Sequence, residues 1–214
     1  MTLLLLMVLP LQSCFLFDNK ERQAREAILE VRQSQAGNAL TGGEYAEAAA
    51  LFKEILSVNP DNVPAWIGMG DAYSEMGEWT RAEPAFSEAC ERAPASYDAQ
   101  FGHGLALQML NKLIAAVAAY HRAMSIDPMS SEASLGIATS YLQLDEPQHA
   151  LPFAERAVEL APEDGRAWIS LGAASEQTGN DTAALDAYLA ASERLGASPE
   201  LKHNLLHAYA RGKR

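Results

Sequence analysis

The chain has 214 residues, of which 49% are hydrophobic and 21% are charged, a composition typical of a folded globular protein. Its 28 acidic and 16 basic residues give a formal net charge of −12, which disfavours nucleic acid and anionic lipid as partners and favours basic or apolar ones. Two cysteines, Cys14 and Cys90, cannot build a disulfide framework, and we expect Cys90 to be an unreactive, half-buried thiol.

The first 17 residues combine an apolar run with a cysteine that is followed by polar sequence. The run is too short for a membrane-spanning helix and is typical of a secretion signal. The stretch Leu11-Gln12-Ser13-Cys14 is similar to the bacterial lipobox, which implies a signal peptide over 1–13 and lipidation of Cys14. Phe15, in place of Asp, implies sorting to the outer membrane. The alternatives are a buried N-terminal segment or a short, inefficient anchor.

The chain is polar from Asp18 to Gln35, and we expect residues 14–28 to form a short tether and the start of a helix that continues to about Leu40. The charged residues of this helix suit a terminal cap, which must present a polar outer face. Beyond the turn at Gly42-Gly43, prolines fall at 60, 94, 128 and 162, each 34 residues after the last. A fixed period of this size indicates a solenoid of stacked repeats.

One period, residues 63–96, shows the pattern in full. It begins with Trp66-Ile-Gly-Met-Gly-Asp-Ala-Tyr73, turns at Gly77 and continues through Ala82, Phe86 and Ala89 to a proline. This residue pattern resembles that of the tetratricopeptide repeat family. The resemblance implies an all-α fold, a right-handed superhelix of antiparallel helix pairs. The repeats would be 29–62, 63–96, 97–130, 131–164 and 165–198, followed by a capping helix at 199–214.

Each repeat should contain a helix A and a helix B. The predicted helices after the first helix A are 44–57, 63–76, 78–92, 97–110, 112–126, 131–144, 147–160, 165–178, 181–195 and 199–211. Pro84 and Pro152 fall inside helices B but near their starts, where the lost hydrogen bond costs least. Small residues should let the helices of a pair approach closely, and aromatic residues should fill the space between repeats.

The family resemblance also implies a binding surface, the concave groove lined by helix A positions 2, 5, 9 and 12. Position 5 gives an apolar set: Ile67, Phe101, Leu135 and Ile169. Positions 9 and 12 give a mixed set: Asp71, Leu105, Thr139, Ala173, Ser74, Gln108, Leu142 and Glu176. The middle of the groove is therefore apolar and its ends are more polar. Some of these side chains could instead pack against the next helix. For Leu135, the sequence supports groove lining and helix packing equally.

Catalytic patterns are weak in this sequence. The glycines at 68 and 70 lack the third glycine and the preceding strand of a dinucleotide site. His103 replaces an expected leucine and should be a core histidine with a hydrogen-bond partner. His203 and His207 lie four residues apart on one helix face, as a metal pair would, but two ligands alone are weak evidence. We therefore expect no cofactor, no metal and no enzyme activity.

These observations predict a non-catalytic scaffold that binds a protein or peptide in the groove and contacts membrane only through its lipid. A lipid-anchored array of this size resembles assembly proteins of tight-adherence (Flp) and type IV pili. The expected location is the outer membrane, facing the periplasm. A general periplasmic scaffold for envelope or peptidoglycan machinery is the main alternative. A metal protein or enzyme built on His203 and His207 is a further one.

Overall fold

The computed structural model describes residues 8–196 and 198–211, with side chains from Gln23 onward. This part of the chain is all-helical and contains eleven helices without a strand. The odd-numbered helices, called A helices here, are α1 (Val8–Thr41), α3 (Val63–Glu75), α5 (Tyr97–Met109), α7 (Ser131–Gln143), α9 (Gly165–Gln177) and α11 (Pro199–Arg211). The even-numbered B helices are α2 (Tyr45–Val58), α4 (Trp79–Arg92), α6 (Leu113–Ile126), α8 (Pro147–Leu160) and α10 (Asp181–Leu195).

Every helix packs against the next one along the chain, and consecutive A helices from α1 to α9 also contact each other. The result is an α-solenoid of helix pairs, and the structure confirms the predicted fold class. The surface formed by α3, α5, α7 and α9, whose successive members contact one another directly, is called the A-helix face here.

Local sequence explains where the helices begin and turn. The A helices α3, α5, α7 and α9 start at polar N-caps whose side chains accept a backbone N–H, namely Asn62, Ser96, Ser130 and Asp164. The turn from helix A to helix B needs a positive φ at one position in each repeat. Gly43, Gly77 and Gly179 meet this need, and Asn111 and Asp145 do so as the residues that best tolerate it.

Aromatic residues of the B helices lock neighbouring repeats together. The Phe86 ring lies between Gly70 of its own repeat and Gly102 of the next, where an added Cβ would fall 2.8 Å and 2.4 Å from the ring. Tyr120 lies between Gly104 and Gly136 in the same way. Each ring therefore occupies the space that a missing side chain leaves, as the repeat pattern predicts.

The fourth repeat lacks this aromatic and has Ala154 in its place. The positions that face it are Ala138 and Ser170 rather than glycine, and all three residues are buried. Larger residues on one side thus accompany the smaller residue on the other, which preserves packing volume.

Two of the three tryptophans, Trp66 and Trp168, are anchored to the loop that precedes their helix. The indole Nε1 of Trp66 donates to the carbonyl oxygen of Pro60 at 2.7 Å, and that of Trp168 donates to Pro162 at 2.8 Å. Arg194 lies 4.9 Å from the centroid of the Trp168 ring and also donates to Pro162. The 34-residue proline period thus coincides with a repeated connection between loop and helix.

The N-terminal helix differs from the prediction. The sequence predicted a tether within residues 14–28, whereas α1 is helical without interruption from Val8 to Thr41. Few breakers occur in this stretch, so one long helix satisfies the backbone. The predicted signal peptide lies partly outside the described residues, as does the side chain of Cys14, so lipidation stays a prediction. Within the described part, no helix has the length and apolar character needed to span a membrane.

Candidate functional site

A cavity of about 390 Å³ opens on the A-helix face between α5, α7 and α9. We call it the central cavity. Its lining is mostly apolar and consists of Phe101, Leu105, Gln108, Tyr120, Glu132, Leu135, Gly136, Thr139, Arg166, Ile169 and Ser170. Three successive A helices therefore contribute the same repeat position to one wall, as Phe101, Leu135 and Ile169.

The central aromatic, Phe101, belongs both to the cavity and to the packing beneath it. Its ring stacks on Tyr97 at a centroid distance of 5.7 Å and meets the Tyr120 ring at 5.6 Å. It is half-buried and packs against the cluster that contains Tyr120. Because these neighbours hold the ring on several sides, it presents a rigid apolar surface to the cavity.

Leu135 and Ile169 also have both roles. Each lines the cavity, and each packs against a buried cluster: Leu135 against the one that contains Val158, and Ile169 against the one that contains Tyr188. The two interpretations of Leu135 are therefore compatible. Leu105 is half-buried and lines the same cavity one turn after Phe101.

Polar groups border the cavity and are already hydrogen-bonded to one another. The Tyr120 hydroxyl donates to Gln108 Oε1 at 2.9 Å, and Gln108 Nε2 donates to Thr139 Oγ1 at 3.0 Å. Thr139 in turn donates to the carbonyl oxygen of Leu135 at 2.9 Å. These bonds fix the side chains that edge the apolar wall, so little ordering is left for a ligand to impose.

Other predicted groove residues lie outside this cavity. Ile67 packs against the N-terminal core cluster, and Ser74 donates to the carbonyl oxygen of Gly70 at 2.9 Å. Leu142 and Ala173 are half-buried and do not line it. Glu176 accepts the Tyr188 hydroxyl at 3.0 Å and contacts His207 Nδ1 of α11, so internal partners already engage its carboxylate.

Asp71 is half-buried on α3, one turn after Ile67. Burial, together with the nearby charges of Asp98 and Glu75, raises the pKa of its carboxyl from 3.8 to about 6. The N-terminal part of the A-helix face therefore carries a carboxylate that is costly to ionise.

Sequence reasoning missed several cavity residues. Glu132 and Arg166 stand at repeat position 2, so the repeat arithmetic used for positions 5, 9 and 12 would have found them. Tyr120 comes from helix B, which the family pattern assigns to packing rather than to binding. The ring is almost fully buried and reaches the cavity wall beside Gly136, where the missing side chain lets it approach α7 closely.

The remaining candidate residues show modest chemistry. His103 Nε2 lies 3.8 Å from Glu83 Oε1, its Nδ1 is buried without a partner, and burial lowers its pKa. Burial raises the pKa of the Cys90 thiol to about 11, so little of the nucleophilic thiolate is present near neutral pH. The rings of His203 and His207 stack at 6.4 Å, and among the described residues no three potential ligands are grouped around a metal position.

Two family models, both for the tetratricopeptide repeat, match the chain over residues 39–104 and 135–199. No curated protein matches it significantly. The fold is similar to the crystal structure of MamA protein, with a TM-score of 0.72 and 23% identity over 78% of this chain and 91% of that one. It is also similar to YrrB, a TPR protein with an unusual peptide-binding site, with a TM-score of 0.65 and 22% identity over 76% of this chain and 84% of that one.

A third similar structure is TTC0263, a thermophilic TPR protein of Thermus thermophilus, with a TM-score of 0.63 and 18% identity over 85% of this chain and 99% of that one. At these identities the solved structures establish the fold alone. The family models and the 34-residue pattern of Gly, aromatic and Pro residues agree on the same repeat. The chain therefore belongs to the tetratricopeptide repeat family, whose members generally mediate protein–protein interaction.

Proposed function

We propose that the chain is a non-catalytic scaffold that captures a peptide or helix of a partner protein in the concave groove of the solenoid, at the central cavity. The observation that carries the proposal is the apolar lining shared by α5, α7 and α9. A preformed apolar pocket with a few fixed polar groups is the usual form of a binding site. YrrB, a similar structure, has a peptide-binding site, which supports a peptide ligand here.

Leu105→Asn is the variant that best tests this function. Leu105 lines the cavity and, unlike Phe101, does not stack on neighbouring rings. Truncating or polarising a central apolar contact often costs at least about 2 kcal/mol of binding, or about thirtyfold in affinity. Ile114→Asn is the matched control, because Ile114 is 77% exposed on α6 and outside this cavity.

The assay is photocrosslinking in the native bacterium, with a benzophenone residue at position 105 or at position 114, followed by mass spectrometry. We expect a discrete adduct at 105 that Phe101→Leu weakens, and no matching adduct at 114. Pull-downs of the identified partner should lose signal with Leu105→Asn but not with Ile114→Asn. Equal capture by both variants would contradict the proposal.

The proposed location is the periplasmic side of the outer membrane, with a lipid on Cys14. This proposal is supported by the lipobox-like sequence of residues 11–14 and by the apolar run before it. Wild-type protein should partition into Triton X-114 and incorporate labelled palmitate, and Cys14→Ser should do neither. Equal labelling of both proteins would eliminate the anchor while leaving the groove proposal intact.

Within the envelope we propose that the partner belongs to a pilus or secretion machine, since lipid-anchored arrays of this size resemble pilus assembly proteins. The alternative partner is a component of the peptidoglycan machinery. The adduct at position 105 distinguishes the two through the identity of the crosslinked protein. A pilin, secretin or assembly ATPase component would support the first, and a peptidoglycan enzyme would support the second.

A further inference from the structure

Carboxylates border the apolar wall of the central cavity. Asp98 precedes Phe101 by three residues on α5, and Glu132 precedes Leu135 by three residues on α7. Residues three apart on a helix share a face, so both carboxylates lie on the A-helix face beside the apolar wall. Both side chains are exposed, and Glu132 itself lines the cavity.

The acidic border extends from α5 onto α3. Asp71 interacts electrostatically with Asp98 across the contact between these helices and with Glu75 on its own helix. Among the described residues, none of the carboxylates of Asp71, Glu75, Asp98 and Glu132 forms an ion pair with a basic side chain. The border is therefore a group of like charges without internal compensation.

The arginine in the cavity lining does not neutralise this border. Arg166 Nη2 lies 2.8 Å from Asp164 Oδ2, and its Nε donates to both oxygens of the same carboxylate. Glu132 influences Arg166 only at longer range. The surface around the apolar wall thus keeps a negative charge on the side of α3 and α5, in a chain whose net charge is −12.

We propose that the segment captured in the central cavity is basic as well as apolar: it places an apolar side chain against Phe101 and Leu105 and one or more Lys or Arg residues against Asp71 and Asp98. This inference rests on the proposed function and adds the chemistry of the partner. The acidic border is continuous with the apolar cavity, and it favours a ligand that carries the complementary positive charge.

The spacing of the ligand follows from the spacing of the helices. Packed helices lie about 8–10 Å apart, and an extended peptide advances about 3.3 Å per residue. Three residues therefore carry a peptide from one A helix to the next. The anchor lies against α5 and Asp71 lies on α3, one A helix away, so the basic residue should stand about three residues from the anchor, on the side that faces α3.

Selection from a phage-displayed library of random dodecapeptides tests this without a known partner. The bait is the full chain in mild detergent. We expect enriched peptides to combine an apolar residue with Lys or Arg at the predicted spacing. A synthetic copy of the best peptide should bind about tenfold more weakly to the Asp71→Asn/Asp98→Asn variant, because hydrogen bonds to charged groups are lost.

Two controls make the result specific. Asp186→Asn/Glu159→Gln removes the same net charge at exposed positions on α10 and α8, and should weaken binding much less. Replacing the Lys or Arg of the peptide with Gln should cost about as much as the Asp71 and Asp98 changes. Combining peptide and protein changes should add little further loss, which is the mark of a direct pair.

The outcomes separate this inference from the proposed function. Enriched peptides without excess Lys or Arg that still lose binding with Leu105→Asn would overturn the inference and leave the function standing. Peptides insensitive to Leu105→Asn, or no enrichment at all, would overturn both. Equal weakening by the two double variants would reduce the charge effect to long-range attraction and would also overturn the inference.

Discussion

Asp71 offers a direct test of how the acidic border is maintained. In the folded chain the pKa of its carboxyl is about 6, against 3.8 for an unperturbed side chain, because the group is largely desolvated and faces Asp98 and Glu75. A folded-state pKa that is raised for a carboxyl means that ionisation opposes folding. The cost is fully present above pH 6, shrinks as the pH falls and is absent below pH 3.8.

The size of this effect follows from the shift. One pKa unit corresponds to about 1.4 kcal/mol, so a shift of about two units gives about 3 kcal/mol at pH 7.5. Asp71→Asn removes the charge while keeping the shape of the side chain. We therefore expect the variant to be more stable than wild type at pH 7.5, by up to that amount, and its advantage to shrink to about 1 kcal/mol near pH 4.5.

Urea unfolding followed by circular dichroism measures the difference. With a typical urea dependence of about 1–3 kcal/mol per molar, a gain of about 3 kcal/mol would raise the midpoint at pH 7.5 by about 1–3 M. Asp186→Asn serves as the control, because Asp186 is exposed on α10, and should leave the midpoint unchanged. Equal midpoints for wild type and Asp71→Asn at pH 7.5, or a gain independent of pH, would refute the reasoning.

Two further predictions concern the packing of the repeats. Gly102→Ala would place a methyl group 2.4 Å from the Phe86 ring, so we expect a loss of about 1–3 kcal/mol in a thermal melt, partly recovered by adding Phe86→Leu. No loss would mean that the repeats are packed more loosely than the structure indicates. Trp168→Ala should cost about 3–5 kcal/mol. Because each repeat depends mainly on its neighbours, hydrogen exchange should accelerate around α9 before it does around α3, and a uniform change would contradict this.

An acidic residue that opposes folding has a natural explanation at a binding site. A carboxylate whose ionisation destabilises the folded chain can be retained because it binds a ligand, whose positive charge offsets the cost of ionisation. In this chain Asp71 and the border around it would be stabilised by a basic partner. The stability test and the peptide selection therefore examine the same carboxylate in the free and bound states.

The secondary structure follows closely from sequence because its signals are local. The prolines at 60, 94, 128 and 162, the N-caps such as Asn62 and Ser96, and the turn residues such as Gly77 act within a few residues of their own positions. Predicted bounds such as 147–160 and 181–195 agree with α8 and α10. The N-terminal helix was the exception, since a polar stretch without breakers does not show where a helix begins.

The sequence alone also determined that an apolar residue recurs at position 5 of helix A in the second to fifth repeats, and that the chain is acidic. Only the tertiary structure decided which of these residues share a cavity. Phe101, Leu135 and Ile169 meet there, whereas Ile67 packs into the N-terminal core. Such groupings depend on helix crossings and on contacts between residues far apart in the chain, such as Glu176 with His207, which no local pattern encodes.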